Sequence, residues 1–161
     1  MRIIGIDTGL RTTGYAIIET NKILKCGICE TTEKMPLAER LKVLYDGMKM
    51  VMQEYSPEIA VYETVFYKQN FGTFSKLSHA RGVLLLAAAD MGIKIKEYSP
   101  AEIKMAVTGN GRASKDQIHS MVERLTGMKI LPSLDVGDAL ACALCYRMRE
   151  ENSRIFFSRI K

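Results

Sequence analysis

The sequence predicts an α/β fold in which a mixed five-stranded sheet carries helices on both faces. Three short, β-rich segments open the chain at 2–7, 13–19 and 22–30, and the turns between them are typical of an antiparallel meander. Strand and helix patterns then alternate, which favours parallel pairing of the later strands with the first one. The 161 residues are 47% apolar and 25% charged, which is enough for one packed domain.

The elements after the meander follow from apolar spacing and from residues that begin or end helices. Leucine and methionine at helical spacing predict a helix over 36–55, and Ser56-Pro57 ends it. Ser99, followed by proline and then by Glu102, is a capping signature for a short helix. The other predicted elements are strands at 58–65 and 93–98 and helices at 73–90, 115–125 and 135–149. We divide the chain into a domain at 1–150 and a basic C-terminal tail at 151–161.

Composition limits the compartment and the class of partner. No segment reaches the roughly twenty uninterrupted apolar residues of a membrane span. The first residues lead directly into a strand, so we expect no signal peptide, no membrane partner and a cytoplasmic location. The net charge is +5, and the segment 66–115 contributes all of it, with eight basic residues against three acidic ones. This segment is either a solvated basic face or a surface that follows the phosphates of a nucleic acid.

The four cysteines occur as two CxxC pairs, at 26–29 and 142–145, which superficially match a zinc site. The first pair lies in a predicted strand, where residues three apart point to opposite faces. The second pair lies one turn apart on a small, apolar helical surface, and neither pair has the tight turn of a zinc knuckle. We interpret the cysteines as core residues.

Acidic residues stand where the predicted strands and the last helix place functional side chains. Asp7 ends the first strand and Glu63 lies near the end of the fourth, so adjacent parallel strands would bring them to one edge of the sheet. Asp135 and Asp138 are three apart at a helix start, where an N-cap and a first-turn charge are a sufficient structural explanation. Four converging carboxylates, however, require cations, and oxygen ligands select Mg²⁺ or Mn²⁺. Two such ions suit phosphodiester hydrolysis.

Four segments together resemble one family. "GIDTGLRTTGYAI", "VYETVFYKQN", "KMAVTGNGRASKDQI" and "DVGDALACAL" are similar, in order and spacing, to four blocks of the RuvC-type Holliday-junction resolvases, which have the ribonuclease H-like fold. The resemblance runs from residue 1 to about 149. It implies that Asp7, Glu63, Asp135 and Asp138 are catalytic acids that bind two Mg²⁺ ions, with Mn²⁺ able to substitute. It also implies a homodimer that nicks two symmetric strands of a four-way DNA junction and works with the RuvA-RuvB branch-migration complex in recombination and repair.

The same resemblance implies a set of DNA-binding residues. Phe66 matches an aromatic wedge that stacks on a base at the opened crossover, although an aromatic here also suits the core. Lys104 and Lys115 match lysines that contact or neutralise the scissile region, although Lys115 is also explained as an ordinary solvated lysine. The remaining predicted DNA contacts are Tyr67, Lys68, Asn70, Arg81 and Arg112.

The two histidines, His79 and His119, invite a general-base role. Two-metal hydrolysis needs no histidine, so we assign neither to the site.

Rival functions stay open beside this resemblance. The segment "GIDTGLRTTGYAI" also resembles the first phosphate loop of actin-like kinases and chaperone ATPases, yet 161 residues leave no room for their second domain. A non-catalytic module that binds branched DNA is a second rival, and a resolvase-like nuclease that processes RNA is a third.

Overall fold

The computed structural model describes residues 1–20, 22–64, 71–128 and 133–158. Within these ranges five strands and five helices follow the predicted order. The strands are β1 (Arg2–Asp7), β2 (Thr12–Glu19), β3 (Lys22–Glu30), β4 (Ile59–Glu63) and β5 (Lys94–Tyr98). The helices are α1 (Leu37–Tyr55), α2 (Phe71–Asp90), α3 (Pro100–Thr108), α4 (Lys115–Thr126) and α5 (Leu134–Ser158). None of the helices in the described ranges combines the length and the apolar character needed to cross a membrane.

The sheet has the order β3-β2-β1-β4-β5, with β1 at its centre. The hairpins β1–β2 and β2–β3 are antiparallel, whereas β1–β4 and β4–β5 are parallel. In the β1–β4 ladder Ile3 pairs with Ile59 and Ile6 pairs with Tyr62, so Asp7 and Glu63 follow the same row of pairs. The predicted α/β class and mixed five-stranded sheet are confirmed.

Each face of the sheet carries its own core. Alternate residues of β1 point to opposite faces, so Ile3 packs under α3, α4 and α5 while Ile4 packs under α1 and α2. The cysteines follow the same geometry, because Cys26 and Cys29 of β3 pack against different cores, as predicted. Cys142 and Cys145 are fully buried in the first core, whereas the β3 pair, on an edge strand, is only partly buried.

Helix α5 lies unusually close to the sheet because small residues face each other at the contact. A methyl group built on Gly5 of β1 would lie 2.0 Å from the carbonyl oxygen of Ala139 and 3.0 Å from the Cβ of Ala143. A side chain at Gly5 would therefore force α5 away from the strand. Since Ala139 follows Asp138 directly, this packing sets the height of the helix start above the end of β1.

Helix boundaries agree with the capping residues that the sequence offers. Ser99 and Ser114 each accept a hydrogen bond from the third residue of the following helix, and Glu102 and Gln117 complete reciprocal capping boxes. Helix α5 continues to Ser158, beyond the predicted end at 149, since 149–158 holds no glycine or proline to stop it. The division of the chain at residue 150 stays a prediction.

Candidate active site

Two carboxylates stand at the carboxyl ends of adjacent parallel strands. Asp7 is the last residue of β1 and Glu63 is the last residue of β4. Their strands are hydrogen-bonded neighbours in register, so both carboxylates lie at one edge of the sheet, as predicted. Both side chains are partly exposed, in contrast to the fully buried isoleucines that precede Asp7 in β1.

The first turns of α5 bring two further carboxylates to this edge. Asp135 is the second residue of α5, and the Ser133 hydroxyl donates a hydrogen bond to its Oδ2 at 3.1 Å. The helix begins at Leu134, so Asp135 is not the residue that precedes the helix, as an N-cap would be. Asp138 lies nearly one turn further on. The simple capping explanation of the pair is therefore wrong for Asp135.

The four acids act on one another electrostatically. Burial, followed by the neighbouring charges of Asp138, Asp135 and Glu63, raises the pKa of Asp7 from 3.8 to about 7, against a smaller opposing effect of Lys115. Carboxylates that repel each other in this way are stabilised by a cation held between them. The charges of Glu63, Asp7 and Asp138 also help burial to raise the pKa of the Cys142 thiol, which lies beneath them in the core.

A cavity of about 430 Å³ opens at this edge of the sheet. Three of the four acids line it, as do two predicted lysines: Asp7, Glu63, Asp138, Lys104 and Lys115. Thr8 and Thr64, which directly follow Asp7 and Glu63, also line the cavity. Among the residues that the structure describes, both of their hydroxyl oxygens are buried without a hydrogen-bond partner. A buried hydroxyl without a partner is unfavourable, so the cavity suits a polar, hydrated ligand better than an apolar one.

Helix α4 holds the carboxylate of Asp138 with two side chains. The Nζ of Lys115 donates to Oδ2 at 2.8 Å, and the Nε2 of His119 lies 2.9 Å from Oδ1. Lys115 and His119 are four residues apart and therefore share one face of α4. The sequence alone gives His119 no role. Its spacing from Lys115 is the one available signal, and it is insufficient because nothing in the sequence places α4 beside α5.

The remaining predicted DNA contacts divide into three groups. Arg112 is exposed on a loop, where its backbone N–H donates to Oδ1 of Asn110 at 3.0 Å. Arg81 points inward: it donates to the carbonyl oxygen of Glu63 at 2.6 Å and pairs with Glu97 at 2.5 Å. Its DNA contact stays a prediction beside this structural role. The others lie outside the described residues and also stay predictions: Phe66, Tyr67, Lys68 and Asn70.

The acids are not grouped as a finished metal site. Within the described parts of the chain, no three aspartate, glutamate, histidine or cysteine side chains are close enough as they stand to hold a metal ion together. Both oxygens of Asp138 already have partners on α4. The donor set itself, four carboxylates with mutual repulsion, suits Mg²⁺ or Mn²⁺.

The fold and the site together define a class of protein. A sheet of order β3-β2-β1-β4-β5, with carboxylates at the ends of β1 and β4 and at the start of α5, is the arrangement of a ribonuclease H-like protein. The family model described as "Crossover junction endodeoxyribonuclease RuvC" matches residues 3–146. The chain therefore belongs to the RuvC family of crossover junction endodeoxyribonucleases.

Individual relatives agree with this assignment. The chain is 42% identical over 150 residues to the crossover junction endodeoxyribonuclease RuvC of Syntrophotalea carbinolica, covering 91% of this chain and 93% of the relative. It is 42% identical over 149 residues to the RuvC of Halorhodospira halophila, covering 90% and 89% respectively. Thermus thermophilus RuvC in complex with a Holliday junction substrate superposes with a TM-score of 0.88 at 27% identity, over 95% of this chain and 96% of that one. The predicted family, fold and enzyme class are confirmed.

Proposed function

We propose that this chain is a metal-dependent endonuclease that resolves four-way DNA junctions by nicking two symmetric strands. The observation that carries the proposal is the convergence of Asp7, Glu63 and Asp138 on one cavity that Lys104 and Lys115 also line. Acids that bind a divalent cation and lysines that neutralise phosphate both favour phosphodiester hydrolysis. The relative from Thermus thermophilus, solved with a Holliday junction, supports the choice of substrate.

The proposed metal-binding and catalytic acids are Asp7, Glu63, Asp135 and Asp138. Their fit to a cation rests on three features: an all-oxygen donor set, the raised pKa of Asp7, and the unpartnered hydroxyls of Thr8 and Thr64 beside the acids. Mg²⁺ is the proposed ion, with Mn²⁺ as a substitute and two ions in each site. When bound, the ions supply activation of the attacking water and neutralisation of the leaving oxygen.

The protein's own groups do the remaining work at the cavity. The ends of β1 and β4 fix Asp7 and Glu63 on a rigid sheet, and the first turns of α5 fix the other two acids above it. Lys104 and Lys115 offer positive charge to the scissile phosphate from α3 and α4. Hydrolysis adds one water across one P–O bond, and the hydroxyl-bearing strand is released from the phosphate-bearing one.

The contacts to DNA beyond the cavity extend the predicted basic segment. Arg112 is exposed on the loop between α3 and α4, which supports the proposed contact with a backbone phosphate. For Phe66 we keep the proposal of a base-stacking wedge, and Tyr67, Lys68 and Asn70 would follow the same strand. Arg81 is the weakest member of the set because its guanidinium has protein partners on two sides.

Paired nicks in two symmetric strands of one junction favour two active sites, which supports a homodimer. Helix α2 exposes Gly82, Leu86 and Ala89 at spacings of three and four residues, so these residues form one apolar stripe. Leu86 is 53% exposed in the single chain, and a second copy of the helix would cover it. We keep the RuvA-RuvB complex as the proposed partner and the cytoplasm as the proposed location.

The proposal is tested with a labelled mobile four-way junction, a matched linear duplex and an RNA–DNA hybrid, each incubated with Mg²⁺, Mn²⁺ or EDTA. We expect metal-dependent, paired and ligatable nicks in the junction alone. The matched control is Asp7→Asn, which should bind the junction without cutting it. Cutting of the hybrid would move the function to RNA processing, and tight binding without cutting would leave a binding module.

A further inference from the structure

The carboxylate of Asp138 is bound on both oxygens by side chains of one helix. The Nε2 of His119 lies 2.9 Å from Oδ1, and the Nζ of Lys115 lies 2.8 Å from Oδ2. Because an ionised carboxylate only accepts hydrogen bonds, we assign the His119 ring the tautomer that carries its proton on Nε2, from which it donates a hydrogen bond to Oδ1. Each oxygen of Asp138 therefore has its own partner, and neither partner bridges both.

The two partners differ sharply in how firmly they are held. The His119 side chain is 12% exposed, that of Asp138 is 18% exposed, and that of Lys115 is 67% exposed. A short, enclosed imidazole has little freedom to leave its position. A lysine on a four-carbon stem that reaches in from solvent exchanges partners readily. The bond at Oδ1 is therefore a fixed one and the bond at Oδ2 is an exchangeable one.

We propose that His119 is a positioning residue that fixes Oδ1 of Asp138 and so selects Oδ2 as the oxygen that binds the divalent cation. In the same proposal Lys115 competes with the cation for Oδ2. When the cation binds, Lys115 leaves Oδ2 and pairs with the scissile phosphate. This inference rests on the proposed function of the four acids. It assigns a role to a residue that lies outside the proposed catalytic set.

Two observations support this division of roles. The described acidic side chains are not grouped to hold a metal ion as they stand, and departure of Lys115, the more exposed of the two partners, would free Oδ2 of Asp138. Hydrogen bonds to the second oxygen of a ligating carboxylate commonly fix its orientation. In the tautomer that donates to Oδ1, Nε2 has no free lone pair with which to accept a proton from water.

The test measures Mn²⁺ affinity of the DNA-free protein by calorimetry, so that it does not depend on cleavage. His119→Leu removes the donor at similar volume, and His119→Gln restores an amide N–H near the position of Nε2. We expect His119→Leu to weaken Mn²⁺ binding about 10- to 100-fold and His119→Gln to recover most of the loss. His79→Gln, at an exposed position of α2, is the matched control and should bind Mn²⁺ as the wild type does.

A second variant tests for an increase in Mn²⁺ affinity. Lys115→Met removes both a competitor for Oδ2 and a nearby positive charge, so Mn²⁺ affinity of the DNA-free protein should rise while junction cleavage falls. Unchanged Mn²⁺ affinity in His119→Leu overturns the role of His119, and weakened affinity in Lys115→Met overturns the division of roles. A wild-type protein that binds no Mn²⁺ overturns the proposed function and this inference with it. Thermal unfolding in EDTA shows that each variant is folded.

Discussion

Gly14 of β2 lies so close to Asp135 that a methyl group built on it would stand 2.2 Å from the Asp135 carbonyl oxygen. Gly14 is also the residue paired with Asp7 in the β1–β2 ladder. One glycine thus contacts an acid of α5 and pairs with an acid of the sheet. The absence of its side chain is what allows the start of α5 to approach the end of β1.

This contact predicts that Gly14→Ala impairs the site, although Gly14 is not one of the four acids. The added methyl group must push the backbone of α5 outward, at a cost of about 1–3 kcal/mol in the free energy of unfolding. Mn²⁺ affinity and cleavage should fall together, because Asp135 moves relative to Asp7. The control is Gly111→Ala, whose methyl group would meet its nearest neighbour at an ordinary 3.4 Å. Wild-type Mn²⁺ affinity in Gly14→Ala would contradict this explanation.

The sequence predicts the strands and most helix boundaries because these depend on local patterns. Alternating apolar residues mark β1, and a serine, a proline and a glutamate mark the start of α3. Asp7 and Glu63 were found in the same way, since each ends a strand. The position of α5 is a different problem. It depends on Gly5 and Gly14 meeting the helix backbone, and a glycine in a strand does not reveal what approaches it.

The sequence does not predict the contacts of α4 and α2 for the same reason. His119 meets Asp138 only because α4 packs beside α5, and Arg81 meets the Glu63 carbonyl only because α2 packs on one face of the sheet. Both contacts join residues far apart in the chain, and no periodicity encodes them. A family resemblance assigned Arg81 to DNA, whereas the geometry gives its guanidinium partners within the protein.

The pKa of Asp7 predicts how the metal-free protein responds to pH. In the folded state this pKa is raised from 3.8 to about 7, so the folded protein binds a proton more tightly than the unfolded chain. The free energy of unfolding therefore falls as the pH rises from about 4 to 7, and the penalty is complete above pH 7. Asp7→Asn removes the penalty and should be more stable in EDTA at pH 8 by on the order of 2–4 kcal/mol.

Chemical unfolding of both proteins in EDTA at pH 4, 6 and 8 checks this prediction. The difference in stability should shrink towards pH 4, where Asp7 is protonated in the folded wild type. Mg²⁺ should stabilise the wild type and have less effect on Asp7→Asn. A stability difference that stays constant across this pH range would mean that the variant acts through packing instead of charge.

For Phe66 the two interpretations predict different measurements. If Phe66 stacks on a base at the junction, Phe66→Ala should lower junction cleavage by the equivalent of about 1–3 kcal/mol and leave duplex binding and stability nearly unchanged. If it belongs to the core, the variant should lose about 3–5 kcal/mol of unfolding free energy. Phe71→Ala, at a residue that is 71% exposed, is the matched control for loss of an aromatic ring.

The apolar stripe on α2 predicts the oligomeric state. Leu86→Glu places a charge at the centre of the surface formed by Gly82, Leu86 and Ala89, so the proposed homodimer should dissociate. Sedimentation would then show a monomer, while the fold of each chain persists. Met105→Glu is the control, because Met105 is similarly exposed but lies on α3, at the opposite face of the sheet. A monomeric wild type would remove α2 as an interface.

Arg81 offers a test that separates a DNA contact from a structural role. Its side chain is 13% exposed, donates to the Glu63 carbonyl oxygen and pairs with Glu97. We expect Arg81→Met to lower the free energy of unfolding by about 1–3 kcal/mol and to reduce cleavage by displacing Glu63 at the end of β4. The salt dependence of junction binding should stay unchanged, because no phosphate contact is lost.

The comparison variant is Glu97→Gln, which weakens the ion pair with Arg81 but removes no basic side chain that could contact DNA. Under the structural role it should reproduce part of the cleavage defect, and the double variant should lose less than the sum of the two single variants. Under the DNA-contact role Glu97→Gln should cut normally. Arg81→Met should then make the dependence of log affinity on log salt concentration less steep by about 1, which is the contribution of one phosphate contact. Measuring binding at several salt concentrations therefore decides which partner of Arg81 matters for cleavage.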